Sequence, residues 1–384
     1  MNNTEINTRL GWYSKTVQVA TNDQHSTTTT TSNDNTKKDA SAAVAQDDGG
    51  WNGATPFPLI QGTDCCGRVV QVASSDYKHL LGQRVIIQPC MRLHQNYDNI
   101  AVSASSEPQE QSSPTVSAGQ LYDNVWMASD FPGAFAQYVK VPATHVHMIQ
   151  SNSSSLSHWT DAALASLPCA YGTAENMIHR CQVSADDHVL IPGASGGVGS
   201  AIVQLVQRRG ARVTAIVGNE HKAHKMRQLL NISQPNDKDN NTNSNNSNPR
   251  GHSVIVGRPG SVEWTTAIEQ LGKDQITVLI DNVAGPGFPK LFDTLARGGR
   301  MATSGAIAGP MVDLDFRTLY LKDITLHGCT SWDPPVMKNL VQYVQNNEIQ
   351  PLVEHTRPLQ EIGRAQTEFL EKQHVGKIVL IPPP

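Results

Sequence analysis

The chain predicts an α/β fold in which a doubly wound parallel sheet is set into a second, β-rich domain. From Asp161 onward, apolar β-like runs alternate with amphipathic helical ones ("HVLIP", "SAIVQLVQRRG", "ARVTAIV", "TVLIDNV", "FPKLFDTLARGG", "RMATSGA"). That order is what parallel strands joined by crossover helices require. Before it, short runs rich in β-branched residues and bounded by turn signals ("GRVVQVA", "QRVIIQP", "AFAQYVKVPA") read as many short strands. The 384 residues, at ~150 per domain, allow two domains.

Three polar stretches, residues 21–50, 103–120 and 236–253, hold too few apolar side chains to offset the entropy of ordering and read as mobile surface loops. The helical stretch "DAALASLPCAYGTAENMIHRC" leads into the alternating region. There Val189, Leu190 and Ile191 form a buried strand. Ala201, Ile202, Leu205 and Val206 share one face of the next helix, Gly210 closes it, and "RVTAIV" resumes a strand. After "TLHGCT" a helix ("PPVMKNLVQYVQNN") precedes "GRAQTEFLEKQ" and a last strand, "GKIVLIP", a tail that returns to the first domain.

Composition excludes several functions. Net charge is −4 and no Lys/Arg cluster reaches the density that a nucleic acid or a membrane surface demands, which leaves a small-molecule substrate. Six scattered cysteines without a C-x-x-C pair fit a reducing compartment, and "MNNTEINTRL" lacks the basic and apolar regions of a signal peptide. The expectation is a cytoplasmic protein. His145 and His147 would share one strand face but lack a third ligand, so they predict no metal site.

"HVLIPGASGGVGSAIVQL" carries the chemistry. Ala194, Gly196 and Gly199 take the three places of G-x-G-x-x-G, with alanine in the first, between a strand and a helix of a βαβ unit. Residues 194–199 (Ala194, Ser195, Gly196, Gly197, Val198, Gly199) would cradle a pyrophosphate on the helix N-terminus. An NAD site usually shows an acid about 20 residues on. Here that place falls on Val217 or Gly218, followed by Asn219, Glu220, His221, Lys222 and Arg227. A missing acid beside Lys222 favours NADP(H), with NAD(H) second.

With "GASGGVGSAIVQL", "PFPLIQGTDCCGRV", "GAFAQYVKVPA", "NNTEINTRLGWY" and "HVGKIVLIP" in this order, the sequence resembles the medium-chain dehydrogenase/reductase superfamily. It is most similar to the quinone reductase and enoyl reductase branch and to zinc-type alcohol dehydrogenase-like proteins. The resemblance implies a GroES-like catalytic domain (1–168), a Rossmann domain inserted in it (169–328), a segment completing the first domain (329–384), and a homodimer joined edge to edge through the Rossmann sheets. Family members carry further strands before the segment that "NNTEINTRLGWY" resembles, so the first strands of the catalytic domain are expected to be missing.

Zinc-dependent members bind a catalytic metal through Cys, His and Cys. Carried over, the first ligand falls on Asn2, a His–Glu pair on Thr63 and Asp64, and only Cys169 keeps its type; the structural-zinc lobe corresponds to a stretch with Cys90 alone. This points away from zinc. Without a metal, alcohol oxidation loses its alkoxide stabiliser, whereas reduction of a quinone or an activated C=C needs positioning and one or two donors. In the enoyl reductase branch a tyrosine after N-x-x-D/E is the candidate proton donor, which places Tyr13. Asn2 resembles the quinone reductase asparagine near the nicotinamide, and Thr63 would donate to a substrate oxygen. Asn282, Val283, Gly305, Ala306 and Ile307 resemble stretches facing the nicotinamide, and Lys377 the lysine near the cofactor phosphates. The expected function is NADPH-dependent, zinc-independent hydride transfer. A zinc alcohol dehydrogenase and a non-enzymatic NADP(H)-binding protein are the alternatives.

Overall fold

The computed structural model describes residues 1–13, 57–92, 124–149, 159–232, 248 and 250–384. The expected loops 21–50 and 103–120 lie outside these residues, as does most of 236–253.

Helix α1 (Asn3–Leu10) starts where the Glu5 carboxylate accepts from the Asn2 backbone N–H, and ends on Gly11, whose φ of 65° gives the left-handed C-cap. Strands β1 (Cys66–Arg68), β2 (Arg84–Ile87) and β5 (Val146–Met148) form one antiparallel sheet, and β3 (Cys90–Arg92) pairs with β4 (Asn124–Trp126). "QRVIIQP" is therefore a strand, but "AFAQYVKVPA" is not: residues 134–137 bend, and 134–142 pair with no strand. Phe135 instead sends its N–H to Gln61 O, and Ala134 to Gly62 O. His147 lies on β5 whereas His145 ends a 3-10 turn (Ala143–His145), so the two do not share a strand face.

Helix α2 (Asp161–Ala165) and α3 (Pro168–Arg180) are two helices because Pro168 cannot continue the first and suits the opening turn of the second. The parallel sheet follows: β6 (His188–Ile191), α4 (Gly197–Arg208), β7 (Arg212–Val217), α5 (Glu220–Leu229), β8 (Ser253–Val256), α6 (Val262–Leu271), β9 (Ile276–Ile280), α7 (Phe288–Asp293), β10 (Leu295–Thr303), α8 (Phe316–Leu321) and β11 (Thr325–Gly328). "LARGG", read as helix, opens β10. The strand order β11-β10-β9-β6-β7-β8 confirms the doubly wound class and reverses between β6 and β9. A ligand crevice belongs at that switch point.

β6 is buried throughout, with Val189, Leu190 and Ile191 solvent-free, and α4 lays Ala201, Ile202, Leu205 and Val206 onto the core. The chain closes with α9 (Pro335–Gln345), β12 (Val353–Pro358), α10 (Ile362–Leu370) and β13 (Lys377–Ile381), where β12 and β13 pair in parallel. Buried Glu175 of α3 ties this tail to the sheet domain: it accepts two bonds from Arg209 (2.8 and 3.0 Å), one from Tyr343 (3.1 Å) and one from Asn339 (3.2 Å). Among the described residues no helix is long and apolar enough to cross a membrane.

Candidate active site

The glycine stretch forms a cradle between β6 and α4. Gly193 turns with φ 65°, and a Cβ on Gly199 would lie 2.2 Å from Gly193 O, so only glycine lets the helix approach the strand end. No side chain caps α4, and Ser200 N donates to Gly196 O at 2.8 Å. The earlier N–H groups of Val198 and Gly199 therefore have no partner within the helix and are set to receive an anion. Ala194 and Ser195 are buried beneath. These residues fit a dinucleotide pyrophosphate.

The other half of the crevice is the end of β9. Asp281 Oδ1 accepts from Val283 N (2.7 Å) and Ala284 N (3.0 Å), and Asn282 Oδ1 accepts from Ser304 N (2.8 Å). These bonds hold Ala284 at φ 53°, an uncommon value outside glycine. Ser304, Gly305 and Ala306 then line a cavity of about 660 Å³ together with Trp12, Tyr13 and Cys329. Ile307 sits in the turn beyond and does not line it.

At the end of β7, Asn219 accepts from Lys222 N (3.0 Å) and so caps α5; its side chain is spent on the helix. Lys222 reaches the Lys372 carbonyl. Burial lowers the Lys222 pKa and Arg258 lowers it further. Lys372 falls to about 8 through burial and the Lys222 charge. Arg227 pairs with Glu220 (2.9 Å), which occupies the one acid nearby. Arg258, which sequence reasoning missed, lies 3.5 Å from a Cβ built on Gly218 and makes no ion pair among the described residues. Its signal is a basic residue two positions after the neighbouring strand β8.

The catalytic candidates divide into two groups. Tyr13 lines the cavity; burial pushes its hydroxyl above the ordinary 10, against hydrogen bonds from Thr4 and Asn7, so it stays protonated. Asn2 and Thr63 instead enter a buried polar cluster. Asn2 Nδ2 donates to Thr63 Oγ1 (2.8 Å) and Asp64 Oδ2 (2.8 Å), Thr63 Oγ1 donates to Glu5 Oε1 (2.9 Å), and Asp64 Oδ1 accepts from Cys169 N (2.7 Å). Glu5 is the hub that sequence reasoning did not weigh: it also accepts from Thr63 N at 3.1 Å.

Lys377 completes the cluster. Its ammonium lies 2.8 Å from Asp64 Oδ2 and also donates to Asn2 Oδ1, while its stem crosses the start of α4. Burial opposes the charge on Lys377, but Asp64 outweighs it and holds its pKa above the ordinary 10.5. Burial likewise pushes the Asp64 carboxyl up, and Lys377, aided by the Met1 amine and Asn2, pulls it below 3.8. Burial raises the Cys169 thiol to about 12. All four positions carried over from the zinc site thus converge. The donor set does not fit zinc: an amide, a hydroxyl, a carboxylate already ion-paired and a thiol held protonated. Elsewhere, His147 bonds Gln88 (3.2 Å), and no three His, Cys, Asp or Glu side chains converge among the described residues.

Two family models match: the alcohol dehydrogenase GroES-like domain over residues 35–151 and the zinc-binding dehydrogenase domain over residues 197–346. The crystal structure of a putative alcohol dehydrogenase from Sinorhizobium meliloti 1021 is 31% identical, with a TM-score of 0.69 over 100% of this chain and 86% of that one. This chain belongs to the medium-chain dehydrogenase/reductase superfamily. An acryloyl-coenzyme A reductase from Metallosphaera sedula is 27% identical over 66% of each chain. A putative quinone oxidoreductase, YhfP of Bacillus subtilis, is 24% identical over 64% of this chain and 75% of its own. The chain spans about two thirds of the length of the first curated relatives it matches. The superfamily fold binds a nicotinamide dinucleotide, and the cradle supplies the matching geometry.

Proposed function

We propose that this protein reduces a quinone or an activated C=C bond with NADPH and without a metal. The observation that carries this reading is the cavity that puts Tyr13 opposite the Ser304 to Ala306 stretch, because it joins a proton donor to the cofactor crevice in one space. Bound NADPH would supply the hydride.

The cradle at Gly196 to Gly199 holds the pyrophosphate, and the end of β9 with Ser304 to Ala306 orients the nicotinamide end. Tyr13 O–H, protonated at neutral pH, donates to the substrate oxygen as negative charge develops there. Asn2 and Thr63 bond each other and Glu5, so they support the wall behind Tyr13 and do not touch substrate. Lys222 and Arg258 beside Gly218 supply positive charge for a 2′-phosphate, which favours NADPH over NADH.

The same reading includes a second copy of the chain. β11 is an edge of the sheet, pairing only β10 among the described residues, and Leu326 on it is exposed, as are Phe316, Tyr320 and Leu321 just before it. Six free cysteines among the described residues fit a reducing, cytoplasmic setting.

Full-length protein mixed with NADPH and a panel of quinones and enones is expected to consume the reduced nicotinamide absorbance. A folded protein that binds NADPH and turns over nothing in the panel refutes the enzyme reading. Turnover that is lost on chelation and restored by zinc, with alcohols as substrates, would establish the alcohol dehydrogenase instead.

A further inference from the structure

We propose that Lys377 is the resident cation of this site: its ammonium takes the place that a metal ion takes between the same positions in zinc-type relatives, and it positions Asn2 and Asp64 against the cofactor cradle. The proposal goes beyond the reductase reading, and only its kinetic arm rests on that reading.

The connectivity is direct. Lys377 Nζ touches Asp64 Oδ2 (2.8 Å) and Asn2 Oδ1; through those two side chains it reaches Thr63 Oγ1 (Asn2 Nδ2, 2.8 Å) and the Cys169 backbone (Asp64 Oδ1, 2.7 Å). One cation therefore organises all four positions. A second cation would have to strip Asp64 of its ion pair and deprotonate a buried thiol. An ammonium needs neither, since it brings its own charge and three donors.

The cation arrives from the cofactor side. A Cβ on Gly197 would lie 2.7 Å from Lys377 Cδ, and Gly376 N donates to Ser195 O at 2.9 Å. Of the three glycines in "GASGG" the G-x-G-x-x-G pattern demands only Gly196; Gly193 is required by its φ of 65°, and the lysine stem is the reason for Gly197. The same stem lies on the N-terminal turn of α4 where the pyrophosphate is held. Lys377 thus fixes which way the Asn2 amide faces, at the mouth of α1, whose far end leads to Tyr13. It is a positioning residue, tying the cradle and the tyrosine wall into one body.

The test uses the full chain, with three variants. Lys377→Ala opens a space for a small ammonium ion, Lys377→Arg keeps the charge, and Gly197→Ala displaces the stem while leaving the lysine in place. Ethylammonium is expected to raise the melting temperature of Lys377→Ala saturably and not that of the parent. Turnover of Lys377→Ala is expected to fall about 10²-fold, the cost of an ~1 Å misplacement, and to recover in part with ethylammonium but not with tetramethylammonium. Lys377→Arg should keep more activity than Lys377→Ala, and Gly197→Ala should lose activity while still folding.

A folded Lys377→Ala protein with no thermal or kinetic response to ethylammonium overturns the proposal. So does a parent enzyme that loses activity on chelation and regains it with zinc. If Lys377→Ala does not fold, Gly197→Ala decides: unimpaired turnover there refutes positioning through the stem. If the parent reduces nothing, the reductase reading fails, and the thermal arm still decides the role of the lysine.

Discussion

Replacing Tyr13 by phenylalanine removes one oxygen and leaves the ring in its edge-on contact with Trp12, at 5.7 Å between centroids. The lost oxygen bonds Thr4 and Asn7. At about 1 kcal/mol net for each hydrogen bond, folding weakens by about 1–2 kcal/mol, a small drop in Tm that leaves the protein folded at assay temperature. The kinetic cost is larger: a positioned proton donor is worth about 10²–10⁴ in rate. Stopped-flow or steady-state assays should therefore show kcat reduced at least about 10²-fold. The NADPH Kd should move by less than about threefold, a change worth about 0.65 kcal/mol, since the cradle lies on a different element. Because burial raises the tyrosine above its ordinary 10, the donor remains loaded with its proton through pH 9, so no alkaline loss of kcat below that pH should come from it. A Tyr13→Phe enzyme within threefold of the parent kcat, in a folded protein, refutes the assignment of the donor.

Four further outcomes follow from the same geometry. Arg258→Glu together with Lys222→Ala should lower the preference for NADPH over NADH about tenfold or more, at roughly 1.5–3 kcal/mol per charged hydrogen bond, with the NADH kcat unchanged; an unaltered Kd ratio by fluorescence titration would place the 2′-phosphate elsewhere. Glu175→Gln should cost about 3 kcal/mol in urea unfolding, because Arg209 loses its buried counter-charge and one of the two oxygens it bonds becomes a donor. The Asp64–Lys377 pair makes a signed pH prediction. Asp64 lies below its unfolded 3.8, so its contribution is present above that value and lost as pH falls through the lower folded value; Lys377 lies above 10.5, so its contribution is present below that and lost as pH rises through the higher folded value. Thermal melts of the parent should then hold the pair's contribution between about pH 4 and 10, and an Asp64→Asn, Lys377→Met double variant should lose pH dependence at both ends. Leu326→Lys should convert a dimer to a monomer by light scattering without loss of fold, and a parent that is already monomeric counts against the edge-to-edge assembly.

Much of this was legible from residue order. Alternating periodicity exposed the doubly wound sheet, and the spacing of Ala194, Gly196 and Gly199 between a strand and a helix located the cradle, since both are local properties of a βαβ unit. "LARGG" misled because a strand that opens Leu-Ala-Arg-Gly-Gly has no alternation to display, and "AFAQYVKVPA" because apolar alternation also suits a bent segment bonded to another loop. The four positions carried over from the zinc site did meet in space. What residue order did not disclose is how their polar atoms divide among themselves. Whether Lys377 faces a phosphate or a carboxylate depends on burial and on a stem passing over Gly197, and the hub role of Glu5 depends on Thr63 lying 58 positions away. Arg258 was invisible for the same reason: its relevance comes from the β7–β8 pairing that brings it beside Gly218.

The bond between Lys377 and Asn2 spans 375 positions of chain, and this bears on how the protein acquires its site. The βαβ unit around Gly196 closes over a few tens of residues, so the cradle can form early and fast. A contact of such separation carries nearly the largest loop-closure entropy in the chain and is disfavoured until intervening structure has shortened the effective loop. A refolding protein should thus bind dinucleotide before it turns over substrate, with NADPH fluorescence returning ahead of activity. The order of folding would then be cofactor shelf first and charged site last, so that a chain caught midway holds the reductant with no complete site to spend it.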